Sequence, residues 1–531
     1  MAFNARILCK CCAFRHASPR AKLQIDPVRA SSEKELIVKP IIAGQASVRW
    51  ALTSLALSVL LSSLGTSIAN VALPSLAEAF NASFQAVQWI VLAYLLAITT
   101  LIVSAGRLGD ILGRRRLLLA GISLFTLASI LCGVAPTLGL LIAARALQGL
   151  GAAVMMALAM AFVGETVPKE KTGSAIGLLG TMSAIGTALG PSLGGMLIAG
   201  AGWRSIFLIN LPLGALTLLL AQRHLPGDQS APTTGETRFD YLGTLLLALT
   251  LAVYALAMTT GRGHFGLFNL ALLLLAACGV GLFVRAEARA ISPLIRLAMF
   301  RNSQLSAPRA GLRPARPPWG TRKLGTALPF LESRRLATNA LVSTVMMATL
   351  VVGPFYLAVA LGLDAWRLGL VMSAGPLVAA LTAVPAGRMT DRFGAAGIAG
   401  IGLLGMAAGA GILALLPTRL GIPGYLAPIV VVTFSYALFQ TANNTAVMLN
   451  TTPDQRGAIS GLLNLSRNLG LITGASVMGA IFAFASGTTD ITTARPEAVA
   501  AGMRITFAVA AALIVIALAI TARAERRQPA S

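Results

Sequence analysis

The chain has 531 residues, of which 56% are hydrophobic and 11% charged. Soluble domains carry about 25% charged residues, so this chain could not cover a water-facing surface and its composition belongs in a bilayer. A formal charge of +24 would point to nucleic acid in a soluble protein, but the placement of the basic residues gives it another meaning.

Residues 1–47 are polar and basic, with no apolar run ahead of a small-residue cleavage site, so they are not a secretory signal. They are expected to form a disordered basic cytoplasmic tail. Cys9, Cys11 and Cys12 cluster there with only His16 nearby, and without a second cluster they make a poor metal or lipidation site. Cys132 and Cys278 stand in apolar runs and read as small packing residues. No metal site is expected.

A helix needs about 20 apolar residues to cross the hydrocarbon core. Fourteen runs qualify, at 48–72, 84–106, 116–135, 138–161, 173–199, 203–221, 241–260, 267–286, 337–358, 367–387, 396–416, 424–448, 458–485 and 503–522, numbered here as spans 1 to 14. The fold class is therefore an all-α membrane protein, and an even count puts both termini on one side. Connections on that side hold 34 of the 42 Lys and Arg. The opposite connections hold Arg204, Arg262, Arg367, Arg419, Arg495 and Arg504, while Arg145 and Arg467 lie within spans. By the positive-inside rule both termini are cytoplasmic, in the plasma (inner) membrane of a bacterium. The net charge is topological, and nucleic acid is not an expected partner.

An internal repeat divides the chain. Gly106-Arg-Leu-Gly-Asp110-Ile-Leu-Gly113 follows span 2, and Gly387-Arg-Met-Thr-Asp391-Arg-Phe-Gly394 follows span 10. Repeats of this kind let two related bundles rock about a central site. The predicted organisation is a six-span bundle over 48–221, two inserted spans over 222–286, a basic loop over 287–336, a second six-span bundle over 337–522, and a tail over 523–531.

The first copy, continuing into Arg114-Arg115-Arg116, resembles the signature loop of major facilitator transporters. Its glycines suit a tight turn, and Asp110 can pair with an arginine or a helix N-terminus. Span 4 carries Arg145-Ala-Leu-Gln148-Gly149, similar to the motif of that family whose buried Arg is linked to proton transfer. An Arg inside a span costs about 2.5–3.5 kcal/mol on insertion scales. It therefore either faces a cavity or snorkels to the nearby interface. Gly186-Thr-Ala-Leu-Gly190-Pro191-Ser-Leu-Gly194-Gly195 in span 5 resembles the motif associated with exporters, though a generic close-packing face would look alike. Leu64-Gly-Thr-Ser-Ile68-Ala-Asn70 and Gln88-Trp89-Ile-Val-Leu-Ala-Tyr94 look like the fourteen-span drug/proton antiporters of EmrB/QacA type. Many of these have an Asp where this chain has Gly65.

The resemblance implies a proton-coupled multidrug efflux antiporter exporting amphipathic compounds by alternating access. The alternative is an exporter or importer of one metabolite in the same fold. It assigns coupling and gating to Asp110, Arg114, Arg145 and Glu165, with the proton gradient rather than a cofactor as energy source. It also places Asn70, Trp89, Tyr94, Met155, Phe439, Gln440, Asn443, Asn444 and Asn464 along a central cavity, where each either meets substrate or bonds a neighbouring helix. A periplasmic adaptor is a possible partner. His16, His224 and His264 are too scattered for enzyme chemistry, and no Gly-x-x-x-x-Gly-Lys-Ser/Thr loop is present to bind a nucleotide.

Residues 302–336 break the pattern, with seven basic residues and five prolines against Glu332 alone. Such a segment cannot build a core. A variant lacking 308–335 is expected to keep wild-type expression and transport; loss of folding, read by size-exclusion chromatography in detergent, would show the segment to be structural.

Overall fold

The computed structural model describes residues 27–167, 172–227, 240–260, 266–290, 324–415, 417–449, 456–487 and 494–525. Regular secondary structure among the described residues is all helical. This is the arrangement a bilayer demands, because each helix satisfies its own backbone groups. Fourteen helices are long and apolar enough to cross: Val48–Val71, Phe84–Ile102, Arg114–Val134, Leu138–Gly164, Ala175–Ala201, Ser205–His224 and Tyr241–Thr259 form spans 1 to 7, and Leu267–Arg289, Arg334–Ala360, Ala365–Phe393, Ala395–Leu415, Gly421–Met448, Leu462–Ala485 and Pro496–Arg523 form spans 8 to 14. The protein is thus a multi-pass membrane protein with the predicted number of spans.

Two helices begin earlier than expected. The helix containing span 1 starts at Pro27, inside the stretch expected to be an irregular tail. The helix containing span 9 starts at Leu324, inside the predicted loop. Cys9, Cys11, Cys12, His16 and residues 291–323 lie outside the described residues.

Polar residues set several helix starts. Ser83, Thr137, Asp240 and Asp364 each accept a hydrogen bond from a backbone N–H in the first turn of spans 2, 4, 7 and 10. The turn between spans 2 and 3 closes on Gly113 at φ 91°, and the turn between spans 10 and 11 on Gly394 at φ 83°. These are the last glycines of the two repeat copies, and the left-handed backbone explains the residue type.

Packing repeats as the sequence does. Spans 2 and 4, 3 and 4, and 3 and 6 pack together, as do spans 10 and 12, 11 and 12, and 11 and 14. Without a hydrophobic drive between helices in lipid, these seams depend on close approach of small residues. A Cβ on Gly151 would meet Phe125 N at 2.7 Å and Gly121 O at 2.8 Å, so spans 3 and 4 touch backbone to backbone. A Cβ on Gly402 of span 11, the counterpart of Gly121, would meet Ser435 O at 2.7 Å and Phe439 N at 2.8 Å in span 12.

Span 7 bridges the two sets of helices. Ser104 of span 2 hydrogen-bonds Thr244 at 3.1 Å, and the Tyr254 hydroxyl donates to Thr473 of span 13 at 3.1 Å. Span 8 lies outside span 7 and exposes Leu270, Leu274, Leu275 and Val280 to the lipid. Cys278, expected to be a packing residue, is exposed on span 8, because only one side of this peripheral helix is covered. Cys132 is buried.

Gly151→Val should cost about 1–3 kcal/mol through overpacking and visibly lower the thermal unfolding temperature in detergent. Gly139→Val, on the same span but with nothing within 4 Å of the added Cβ, should leave it unchanged.

Candidate functional site

Helices from the two bundles cross in two places related by the repeat. Span 5 crosses span 10, and span 2 crosses span 13. The glycines of span 5 divide their labour. Gly186, Gly190 and Gly194 lie against span 1: Ser67 donates to the Gly186 carbonyl at 3.2 Å, and Cβ atoms on Gly186 and Gly194 would meet Leu60 O and Val71. Gly195 faces the other bundle, where an added Cβ would meet Ala365 O at 2.5 Å and Gly369 Cα at 2.8 Å. A Cβ on Gly369 would in turn meet Pro191 O at 2.6 Å.

The same arrangement recurs across the second crossing. Gly470, Gly474 and Gly479 of span 13 have the spacing of Gly186, Gly190 and Gly195. Gly470 and Gly474 lie against Ala340, Ser343 and Thr344 of span 9, while Gly479 lies against Gln88 of span 2. Gln88 occupies in span 2 the position of Gly369 in span 10, counted from the motif that ends each span. Its Nε2 donates to the Ala475 carbonyl at 3.0 Å, and Ala475 is the counterpart of Pro191. Both crossings carry a helix irregularity at this level: Pro191 in span 5 and a π turn over Gly474–Met478 in span 13. A π turn removes an ordinary backbone pairing and leaves a carbonyl available to a side chain.

Both crossings lie toward the side opposite the termini, and an aromatic cluster seals them. Phe84 stands edge-on to Phe355 at 4.8 Å and to Phe482 at 5.4 Å, joining span 2 to spans 9 and 13. Toward the terminus side, added Cβ atoms on Gly177 and Gly180 of span 5 and on Gly387 of span 10 would meet nothing within 4 Å. Span 5 buries Gly190, Pro191, Gly194 and Gly195 but exposes Ile176, Leu178 and Thr181. Span 10 buries Leu368, Gly369 and Met372 but exposes Leu377, Leu381 and Val384. The cross-bundle contacts through Gly195, Gly369, Gln88 and Phe84 all lie in the half of the seam away from the termini.

Arg145 does not snorkel, for it is 0% exposed. Its Nε donates to Ile90 O and its Nη2 to Gly65 O, each at 3.1 Å, and its Nη1 donates to Gln148 Oε1. Gln148 passes the chain on to Ser129 at 2.7 Å. The guanidinium lies 4.1 Å from the centre of the Tyr94 ring, whose hydroxyl donates to Ser62 O at 2.8 Å. One buried cation thereby ties spans 1, 2, 3 and 4. Its described partners are all uncharged, and Asp110 is not among them. Asp110 instead accepts from Arg114 at 2.7 Å, one turn away. The second motif copy has Ala395 where Arg114 would be, so this latch exists in one copy only. The Glu165 side chain lies outside the described residues.

The predicted cavity residues are not all together. Tyr94, Met155 and Phe439 are buried within their own bundles, Phe439 against Gly402. Asn70 is buried and donates to Thr66 O at 3.1 Å, leaving Oδ1 without a partner. Trp89 is half-buried. On span 12, Gln440 donates to Asn444 at 3.3 Å, while the buried Asn443 Nδ2 has no partner. Asn464 is exposed on span 13. Sequence reasoning missed Gln88, Gly369 and Gly479, which become visible only when the repeat is extended beyond the loop motif. No group of His, Cys, Asp and Glu suited to a metal occurs among the described residues.

Two related helical bundles, crossing at paired small-residue seams around a cleft open on one side, define a membrane transporter fold. The sequence model of the Major Facilitator Superfamily matches residues 55–475 and 336–531, and the chain belongs to this family. It is 32% identical over 428 residues to the multidrug resistance protein Stp of Mycobacterium tuberculosis, covering 78% of this chain and 72% of that one. It is 30% identical to the riboflavin transporter RibZ of Clostridioides difficile, covering 82% and 88%. Among solved structures, a bacterial homolog of the human lysosomal transporter Spinster, inward-facing and occupied, superposes with a TM-score of 0.62 at 16% identity, covering 90% and 97%. The xylose transporter XylE from E. coli, in a partially occluded inward-open conformation, superposes with a TM-score of 0.59 at 12% identity, covering 90% and 98%.

Gly195→Leu should hold the far end of the seam apart. Spin labels at Glu78 and Arg419, on opposite bundles of that side, should report a longer distance than in the otherwise wild-type chain. An unchanged distance would mean that this crossing does not set closure.

Proposed function

We propose that this transporter is a proton-coupled exporter of amphipathic small molecules. The observation that carries the reading is the paired seam, whose cross-bundle contacts all lie in the half away from the termini, which supports an opening at the terminus end. With 34 of the 42 basic residues on the terminus side, that opening faces the cytoplasm, where an exporter loads its substrate. The segment that most resembles exporters, Gly186 to Gly195, forms one crossing of the seam. Likeness to Stp, whose name is that of a multidrug resistance protein, supports the same direction.

Alternating access then needs little chemistry. One seam is a backbone contact and the other adds the Gln88 side chain, so the bundles separate at the far end by losing the Gly195–Gly369 contact, the Gln88 hydrogen bond and the Phe84 cluster. Arg145 keeps spans 1 to 4 together as one body while this happens. Asp110 with Arg114, and Glu165 at the terminus end of span 4, are the proposed proton-exchanging groups. A second reading, transport of a single metabolite, is favoured by the comparable likeness to RibZ, named as a riboflavin transporter.

Efflux of a panel of anionic, cationic and neutral amphipathic dyes should be measured from cells expressing wild-type protein or Arg145→Ala, with and without a protonophore. Export should occur in the wild type and disappear with the protonophore and, at equal protein level, in the variant. Export that survives collapse of the gradient removes proton coupling, and export of no dye at all favours the metabolite reading.

A further inference from the structure

Charge inside the membrane is distributed with one sign. Within the fourteen spans the carboxylates are Glu287, Asp391 and Glu497, each in a terminal turn, while Asp110 and Glu165 stand just past the terminus-side ends of spans 2 and 4. Three arginines stand deeper: Arg145, Arg467 and Arg504. Arg145 is sealed among spans 1 to 4, and Arg504 donates to the Ala414 carbonyl at the far end of span 11. Arg467 differs from each: unlike Arg145 it is exposed, and unlike Arg504 it makes no hydrogen bond or ion pair with any described residue.

Its position shows what it is exposed to. Span 13 is enclosed by span 9 through Gly470 and Gly474, by span 7 through Thr473, and by span 2 through Ala475. In the terminus half of span 13 the exposed residues that can be described are Asn464 and Arg467, three apart and therefore on one face. A lipid-facing surface looks different, as span 8 shows with its row of exposed leucines. A polar stripe with an unpaired cation on an enclosed helix faces the open end of the seam, since an arginine in hydrocarbon costs about 2.5–3.5 kcal/mol even on insertion scales. With low-dielectric walls and, among the described residues, no ion-pair partner to balance it, this charge gives the cleft a positive field that repels cations and attracts anions.

We propose that Arg467 is the specificity-determining residue of the cleft and takes the oxyanion group, carboxylate, phosphate or sulfonate, of an amphipathic substrate. The guanidinium fork suits such a group in two-point contact. The proposal rests on the export reading above and narrows it to anionic amphipaths.

The full-length protein in liposomes should be tested with two xanthene dyes of similar body, anionic fluorescein and cationic rhodamine 6G. Arg467→Gln should lower fluorescein transport about tenfold while rhodamine transport holds or rises, because a charge-assisted bond is lost from one dye only. Arg467→Lys should restore most of the fluorescein rate, and Arg504→Gln should change neither dye. Fluorescein binding to the purified protein, read by fluorescence polarisation, should weaken in parallel in Arg467→Gln. Equal loss for both dyes, or an unchanged fluorescein rate, would overturn the proposal and leave Arg467 as a structural or lipid-phosphate contact. If neither dye moves in the wild type, the export reading fails. The binding measurement then decides on Arg467 alone, and unchanged fluorescein affinity in Arg467→Gln overturns the assignment.

Discussion

The architecture depends on how closely two helix backbones can approach. Lipid tails are as apolar as leucine, so helices gain no hydrophobic free energy by associating within the core, and contact must come from dispersion and polar groups at short range. Glycine supplies that range. Spans 3 and 4 meet through Gly121 and Gly151, spans 11 and 12 through Gly402, and the bundles meet through Gly195, Gly369 and Gly479. A contact made by backbone is shallow and easily reformed, which suits a seam that must open and close.

Two kinds of contact therefore coexist. Within spans 1 to 4 a buried cation, a ring and a chain of amide and hydroxyl groups make a network that is costly to break. Between the bundles the contacts described above are small-residue crossings, an amide hydrogen bond from Gln88 and an aromatic cluster. Rigid bodies joined by weak seams are what a rocking motion requires. The two crossings are not identical: Gly369 offers span 5 only backbone, while Gln88 in the equivalent place offers span 13 a side chain. The latch at Asp110 and Arg114 is likewise present in one copy of the repeat and missing from the other. Symmetry sets the geometry, and these substitutions bias it.

Much of this was legible from composition and spacing. The number of spans followed from apolar run length because hydrocarbon thickness fixes it, and the turn glycines Gly113 and Gly394 followed from the repeat. Arg145 was recognisable as unusual because an arginine within a span demands a reason. Its partners were not recognisable. They are the carbonyls of Gly65 and Ile90, from spans 1 and 2, and every residue has a carbonyl, so no residue type advertises them. The cavity residues suffered likewise: Tyr94, Met155 and Phe439 lie on apolar helices with no period that distinguishes bundle core from cleft.

The sequence alone determined that the chain crosses a membrane fourteen times as two related halves, since hydropathy and repetition are linear properties of a chain. It also determined which turns must hold glycine. The tertiary structure decided which face of each glycine-rich helix meets its own bundle and which meets the other. It also decided which of the buried-span arginines is sealed and which is open. Those outcomes depend on the rotation and crossing of helices, which close packing settles and run length leaves free.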